Sequence, residues 1–234
     1  MENLPAYINI IFLLTVLLTL LIFYRAANNS KTFVAVIVPW MLLQALLSYQ
    51  GLYTKSAVVP PLFILAVVPP LLFIATLFLF SAGRRFIDSL QLDSLTLLHI
   101  IRIPVEIVLF CLYVQKLIPR VMTFEGHNYD ILSGLTAPFI YYLVFNRSVP
   151  RKYLLLWNIF CLVLLLNIVV TAILSAPFSF QQLGFEQPNI AILHFPFMWL
   201  PSCIVPLVLF SHLAALRRII LTQKKNTAGV PVKS

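Results

Sequence analysis

Charge is what this chain has least of. Only 10% of its 234 residues are charged, and only seven of them are acidic. A soluble domain carries about one quarter charged residues, because its surface must face water. With 61% apolar residues, an ordinary water-soluble fold is excluded. Cysteine is scarce as well: Cys111, Cys161 and Cys203 each sit inside an apolar stretch, with neither a disulfide framework nor zinc spacing. The six glycines form no phosphate-cradling loop and no dinucleotide fingerprint. No His-Glu-x-x-His or His-x-x-x-His occurs, and no internal repeat is evident. Every lysine lies in a link, at the end of an apolar run or in the C-terminal stretch. A Schiff-base lysine at membrane depth is therefore missing, and covalent retinal is excluded.

What is present is a series of long apolar runs, the pattern hydrocarbon demands of helices. They cover about 7–24, 32–52, 57–80, 95–117, 130–145, 153–174 and 190–216. The expected fold is all-α, a polytopic transmembrane bundle of seven spans. One domain covers 1–218, and 219–234 forms a basic, flexible cytoplasmic tail. The first run reads as a retained span rather than a signal peptide, since no Lys or Arg precedes it and no cleavage site closes it convincingly. The third carries Pro60, Pro61, Pro69 and Pro70; the mixed stretch 86–93 suits the membrane interface.

The net charge of +9 resembles a nucleic-acid footprint, but its distribution does not. Basic residues flank the apolar runs, and no aromatic-interleaved groove accompanies them, so the partner expected is the lipid bilayer and not nucleic acid. Twelve of the sixteen lie in one alternating set of links, among them Arg25, Lys31, Arg84, Arg85, Arg147, Arg151 and Lys152. That bias predicts an exterior N-terminus, a cytoplasmic C-terminus and an odd number of spans, in a plasma or bacterial inner membrane.

Three polar sets interrupt the apolar runs. His99, Arg102 and Glu106 fall at i, i+3 and i+7 on one face of the fourth span, with Pro104 freeing a carbonyl near Ile100. Ionised groups at this depth seek partners. Arg102 and Glu106 are spaced to pair, either to fix packing or to serve as a proton, ligand or substrate site. The second set is Glu125, His127, Asn128 and Asp130 in the link after that span, where Asp130 suits a helix N-cap with Ser133 three residues on. The third is His194, about a turn below the exterior surface, followed by Trp199 and by Pro196, Pro201 and Pro206, which predict a bent or unwound seventh span.

Convergence of Glu125, His127, Asp130 and His194 would offer a divalent ion such as zinc a ligand set with room for activated water. His99, Arg102, Glu106, Asn128 and Trp199 would then contact substrate. Gln44, Ser48, Asn158 and Asn167 read as inter-helix glue. Three functions follow as expectations. The first is a transporter or binding protein for a small solute or lipid, built around the His/Arg/Glu face. The second is a hydrolase or lipid-modifying enzyme using Glu125, His127 and His194. The third is a non-catalytic assembly subunit whose ion pairs serve packing alone.

Overall fold

The computed structural model describes residues 4–55 and 60–227, without the side chains of 224–227. The described residues are all-helical, with no strand. The helices are α1 (Ala6–Ala26), α2 (Lys31–Tyr49), α3 (Ile64–Leu79), α4 (Ser81–Ser89), α5 (Leu92–Leu98), α6 (Arg102–Val114), α7 (Ile131–Tyr141), α8 (Lys152–Leu174) and α9 (Val205–Thr227). A 3₁₀ turn, His99–Ile101, joins α5 to α6 in one rod. A π turn, Tyr142–Asn146, extends α7, and another, Leu200–Ile204, opens α9.

The core is apolar, as in a soluble protein, but the outer surface is apolar as well. On α1 the side chains of Ile10, Leu14, Leu17 and Leu21 are exposed, while Thr15 and Thr19 face inward. Each inward hydroxyl is satisfied within its own helix, Thr15 by Ile11 O at 2.8 Å and Thr19 by Thr15 O at 2.7 Å. On α8, Leu156, Phe160, Val163 and Val170 point outward and Asn158 inward. Hydrocarbon rewards that arrangement, because lipid tails are as apolar as leucine while a lone polar group there costs several kcal/mol. The rod α5–α6 is the most enclosed of the long helices, packed by α1, α7 and α9.

Five helices are long and apolar enough to cross a membrane: Ala6–Ala26, Lys31–Tyr49, Leu92–Val114, Lys152–Leu174 and Leu200–Gln223. A sixth is reached when α3 and α4 count as one span bent by 94°. Ile131–Asn146 is apolar but shorter. Its 16 residues rise about 24 Å, short of a hydrocarbon core of about 30 Å.

Three expected boundaries change. The seventh span does not begin near residue 190: helix starts at Leu200, after a 3₁₀ turn, Ala191–Leu193, and an irregular stretch. Pro196 and Pro201 withhold the N–H groups a regular helix would need there. The helix then continues to Thr227, so the first part of the expected tail is helical. The third span begins as helix at Ile64, and residues 57–59 of its expected start lie outside the described residues, as does the tail beyond 227. The basic residues Arg84 and Arg85 and the first part of the mixed stretch form α4, which turns by 94° from α3 at Phe80 and packs against it through Gly83. A Cβ at Gly83 would lie 2.3 Å from Leu77 O, so only glycine permits the approach.

Candidate functional site

Two features stand out, a polar network in the core and an apolar cavity beside it. The network starts from the broken rod. The 3₁₀ turn at His99–Ile101 meets α7 at Gly134, where a Cβ would stand 2.8 Å from Ile103 Cγ1 and 3.3 Å from His99 O. That close approach sets Asp130, at the start of α7, against Arg102. Asp130 occupies the N-cap position of α7 as expected, yet its side chain caps nothing. It accepts from Arg102 Nη1 in a buried salt bridge instead.

Arg102 is thus paired with Asp130 and not with Glu106, four residues along its own helix. Its other terminal nitrogen, Nη2, lies 2.9 Å from His212 Nε2 on α9. A guanidinium has donors only, so Nε2 accepts and the His212 proton sits on Nδ1. Nδ1 donates to Asn158 Oδ1 at 2.9 Å, and Asn158 Nδ2 donates to Leu154 O at 2.9 Å. Every link in this chain, across α6, α7, α8 and α9, therefore has a defined direction. The His99 ring stacks on His212 with centroids 4.0 Å apart, and Trp157 meets His99 edge-on at 5.4 Å.

Glu106 extends the network. Its Oε1 accepts from Asn128 Nδ2 at 2.6 Å, and Asn128 Oδ1 accepts from the Asp130 backbone N–H at 3.0 Å. Glu106 Oε2, Arg102 Nε and His99 Nδ1 are buried without a protein partner. His99, Arg102, Glu106, Asn128 and Asp130 thus come together, joined by His212 and Asn158. The signal for His212 was available, since it interrupts an apolar run as His99 does.

The remaining expected site residues do not join them. Glu125 and His127 lie exposed in the turn before α7. His194 sits in the irregular lead into α9, where the neighbouring Leu193 O accepts from Ser48 Oγ at 3.1 Å. Among the described residues no three His, Cys, Asp or Glu side chains gather as a metal site. Asp130, the one buried member of the expected zinc set, is held by a guanidinium that would repel a cation. The ligand set expected for a metal-dependent hydrolase is dispersed. Trp199 also lies apart from the network, donating from Nε1 to Met41 O at 2.9 Å and tying the start of α9 to α2. Trp40 makes the converse link to Ser202 O at 2.8 Å.

Those two tryptophans brace the cavity. It is a half-open cavity of about 440 Å³ between α2, α3 and α9, with α1 and α4 contributing at one end, within the range of about 300–1,000 Å³ typical of small-molecule pockets. Pro39, Pro69, Pro70 and Pro206 line it. Each removes a helix hydrogen bond and loosens close helix packing at that level. Phe23, Phe33, Phe86 and Phe210 gather at that end, with Phe23–Phe33 centroids at 4.8 Å and Phe23–Phe210 at 5.9 Å.

Such an arrangement, polar groups locked inside an apolar-surfaced helical bundle with an apolar cavity, defines a class of helical bundle suited to hydrocarbon. The chain belongs to the family described as Domain of unknown function (DUF8737), whose model matches residues 59–220. The polar network lies wholly within that segment, whereas α1 and α2, which supply part of the cavity wall, precede it. No curated protein and no solved structure matches the chain.

Proposed function

We propose that the chain is an integral membrane protein with seven crossings, exterior N-terminus and cytoplasmic C-terminus, that binds a lipid or similarly apolar molecule in the cavity between α2, α3 and α9. The observation that carries the reading is the cavity itself: about 440 Å³ with an almost wholly apolar lining. Only the Ser202 residue among its lining residues bears a hydroxyl, and that hydroxyl is bonded to Met198 O at 2.8 Å. A polar solute would find few partners there, and an apolar chain loses nothing by entering.

The buried network then has a supporting role. It ties α6, α7, α8 and α9 into one block, against which α2 and α3 form the cavity's other wall. Seven crossings are supported by the seven apolar helical segments and by the basic bias of alternate links.

The test is lipid analysis of detergent-purified protein. Leu43→Trp puts a large ring into the cavity. Wild type should retain about one apolar molecule per chain and Leu43→Trp none, with both proteins equally helical. A wild-type protein that carries nothing, or a variant that carries as much, would sink the reading.

A second reading, a carrier for a small polar solute, is favoured by one observation: Glu106 Oε2 is buried and unpartnered. It requires solute or proton movement across vesicles that Glu106→Gln abolishes. A variant as active as wild type would remove it.

A further inference from the structure

We infer that the occupant of this cavity is a phospholipid with an anionic headgroup, read by Arg85 and Lys31 at the end of the cavity nearest the basic links. The inference rests on the lipid-binding reading and adds the headgroup class to it.

The cavity is elongated. Along α2 its lining runs from Phe33 to Leu43, a rise of about 15 Å. That shape suits an acyl chain lying along the helix better than a rounded molecule. One end is set by Phe23 near the end of α1, Phe33 near the start of α2, Leu77 near the end of α3, and Phe86 on α4. All four positions belong to the side of the bundle that carries the basic links.

An apolar cavity in a bilayer cannot select its occupant by hydrophobicity. The competing solvent is itself lipid tail, as apolar as the cavity wall, so transfer gains little. Selectivity has to come from the polar end of the molecule, and the charged residues nearest along the chain to the lining residues of that end are cationic. Arg85 precedes Phe86, Lys31 stands two residues before Phe33, and Arg25 two after Phe23. All three are exposed.

Their charge is not cancelled nearby. The acidic residue of α4, Asp88, is occupied by Arg217, with Oδ1 and Oδ2 accepting at 3.0 and 3.1 Å. Arg84 is used locally, its Nη1 donating to Leu79 O at 2.8 Å at the end of α3. Arg85 and Lys31 carry no salt bridge among the described residues. Helix stability does not account for Lys31 either, since a basic residue in the first turn opposes the helix dipole and no acidic residue balances it there.

The 94° bend makes the arrangement possible. It turns α4 across the end of α3, so that one short helix supplies Phe86 to the cavity wall and carries the exposed Arg85 one residue earlier. Juxtamembrane basic residues attract anionic headgroups additively, by about fivefold in affinity for each Lys or Arg near the surface.

The experiment is native mass spectrometry of the full chain in detergent, with equimolar phosphatidylglycerol and phosphatidylcholine of matched acyl chains distinguished by mass. Wild type should carry the phosphatidylglycerol adduct in clear preference. In the double variant Arg85→Gln/Lys31→Gln the ratio of the two adducts should fall about fivefold for each charge removed, with phosphatidylcholine as internal reference. Equal adducts in wild type, or a preference unchanged in the double variant, would overturn the headgroup assignment and leave lipid binding standing. No adduct of either lipid in wild type would overturn both.

Discussion

His99 and His212 stack nearly face to face, with ring centroids 4.0 Å apart and planes 16° from parallel, although 113 residues separate them in sequence. The second ring also accepts from Arg102, so two imidazoles and a guanidinium share one buried volume with Asp130 as the acid paired to it. Neutral rings can stack beside that cation without adding charge, and the tautomer assigned to His212 is a neutral one.

Asp130 therefore carries the charge balance, and its removal is costly. Asp130→Asn leaves Arg102 buried without its counter-ion, a loss of about 3–5 kcal/mol for a pair broken on one side. Thermal unfolding in detergent, read by near-UV circular dichroism, should show a large drop in midpoint. The double variant Arg102→Met/Asp130→Leu should regain part of it, since two apolar side chains avoid the stranded charge. Recovery stays incomplete because His212 Nε2 then lacks its donor, a penalty of about 1–3 kcal/mol. A single variant as stable as wild type would refute the assigned pairing.

The partner of Arg102 also marks how far the sequence could be read. The apolar runs locate the helices, and the i, i+3, i+7 spacing places His99, Arg102 and Glu106 on one inward face. Spacing along a helix proposes Glu106 as the partner, whereas the structure supplies Asp130 from α7. The choice is tertiary: it depends on α7 reaching the rod through Gly134, which no local pattern reveals. The prolines of the last span announced its unwinding but not that helix begins ten residues late, at Leu200. The cavity was invisible for a different reason. A leucine facing lipid and a leucine facing a void look alike in sequence, and the lining comes from five separate helices.

Gly134 gives the second prediction. The Cβ of Gly134→Ala would stand 2.8 Å from Ile103 Cγ1 and 3.1 Å from Ile103 N. The side-chain contact can relax by rotation, but the backbone nitrogen cannot, so α7 must move off the rod. Overpacking of this kind costs about 1–3 kcal/mol. Because the shift lengthens the Arg102–Asp130 contact, Gly134→Ala and Asp130→Asn should be less than additive in a double-mutant cycle. Strict additivity would show that Gly134 does not set the ion pair.

Tyr53 yields a pH prediction outside the spans. Its ring is buried against Phe63, with centroids 6.5 Å apart, and its hydroxyl donates to Gln44 Oε1 at 2.6 Å. Burial pushes the hydroxyl up to about 12. An unfolded tyrosine ionises near 10, so between those values the unfolded chain releases a proton that the folded chain keeps. The resulting stability is present below about pH 10 and is lost as pH rises through about 12. Absorbance titration at tyrosinate wavelengths should show a late-ionising contribution in wild type that Tyr53→Phe removes. Identical late phases in the two proteins would disprove it.

Topology is the prediction on which the lipid assignment depends most, because Arg85 and Lys31 must share a side. In a background with Cys111, Cys161 and Cys203 replaced by alanine, single cysteines at exposed Thr32, Glu125, Asn146 and Glu186 report four links. An impermeant maleimide applied to intact cells should label the Glu125 and Glu186 positions, and should reach Thr32 and Asn146 only after lysis. Asn146 is the discriminating site, since it ends the short segment Ile131–Asn146. If that segment enters and leaves on one face, Asn146 labels together with Glu125 and the crossing count falls. The bent pair is tested in the same way by a cysteine at exposed Ser81, the first residue of α4. Labelling there from outside would place Arg85 on the exterior, away from Lys31, and the paired headgroup site would have to be abandoned with it.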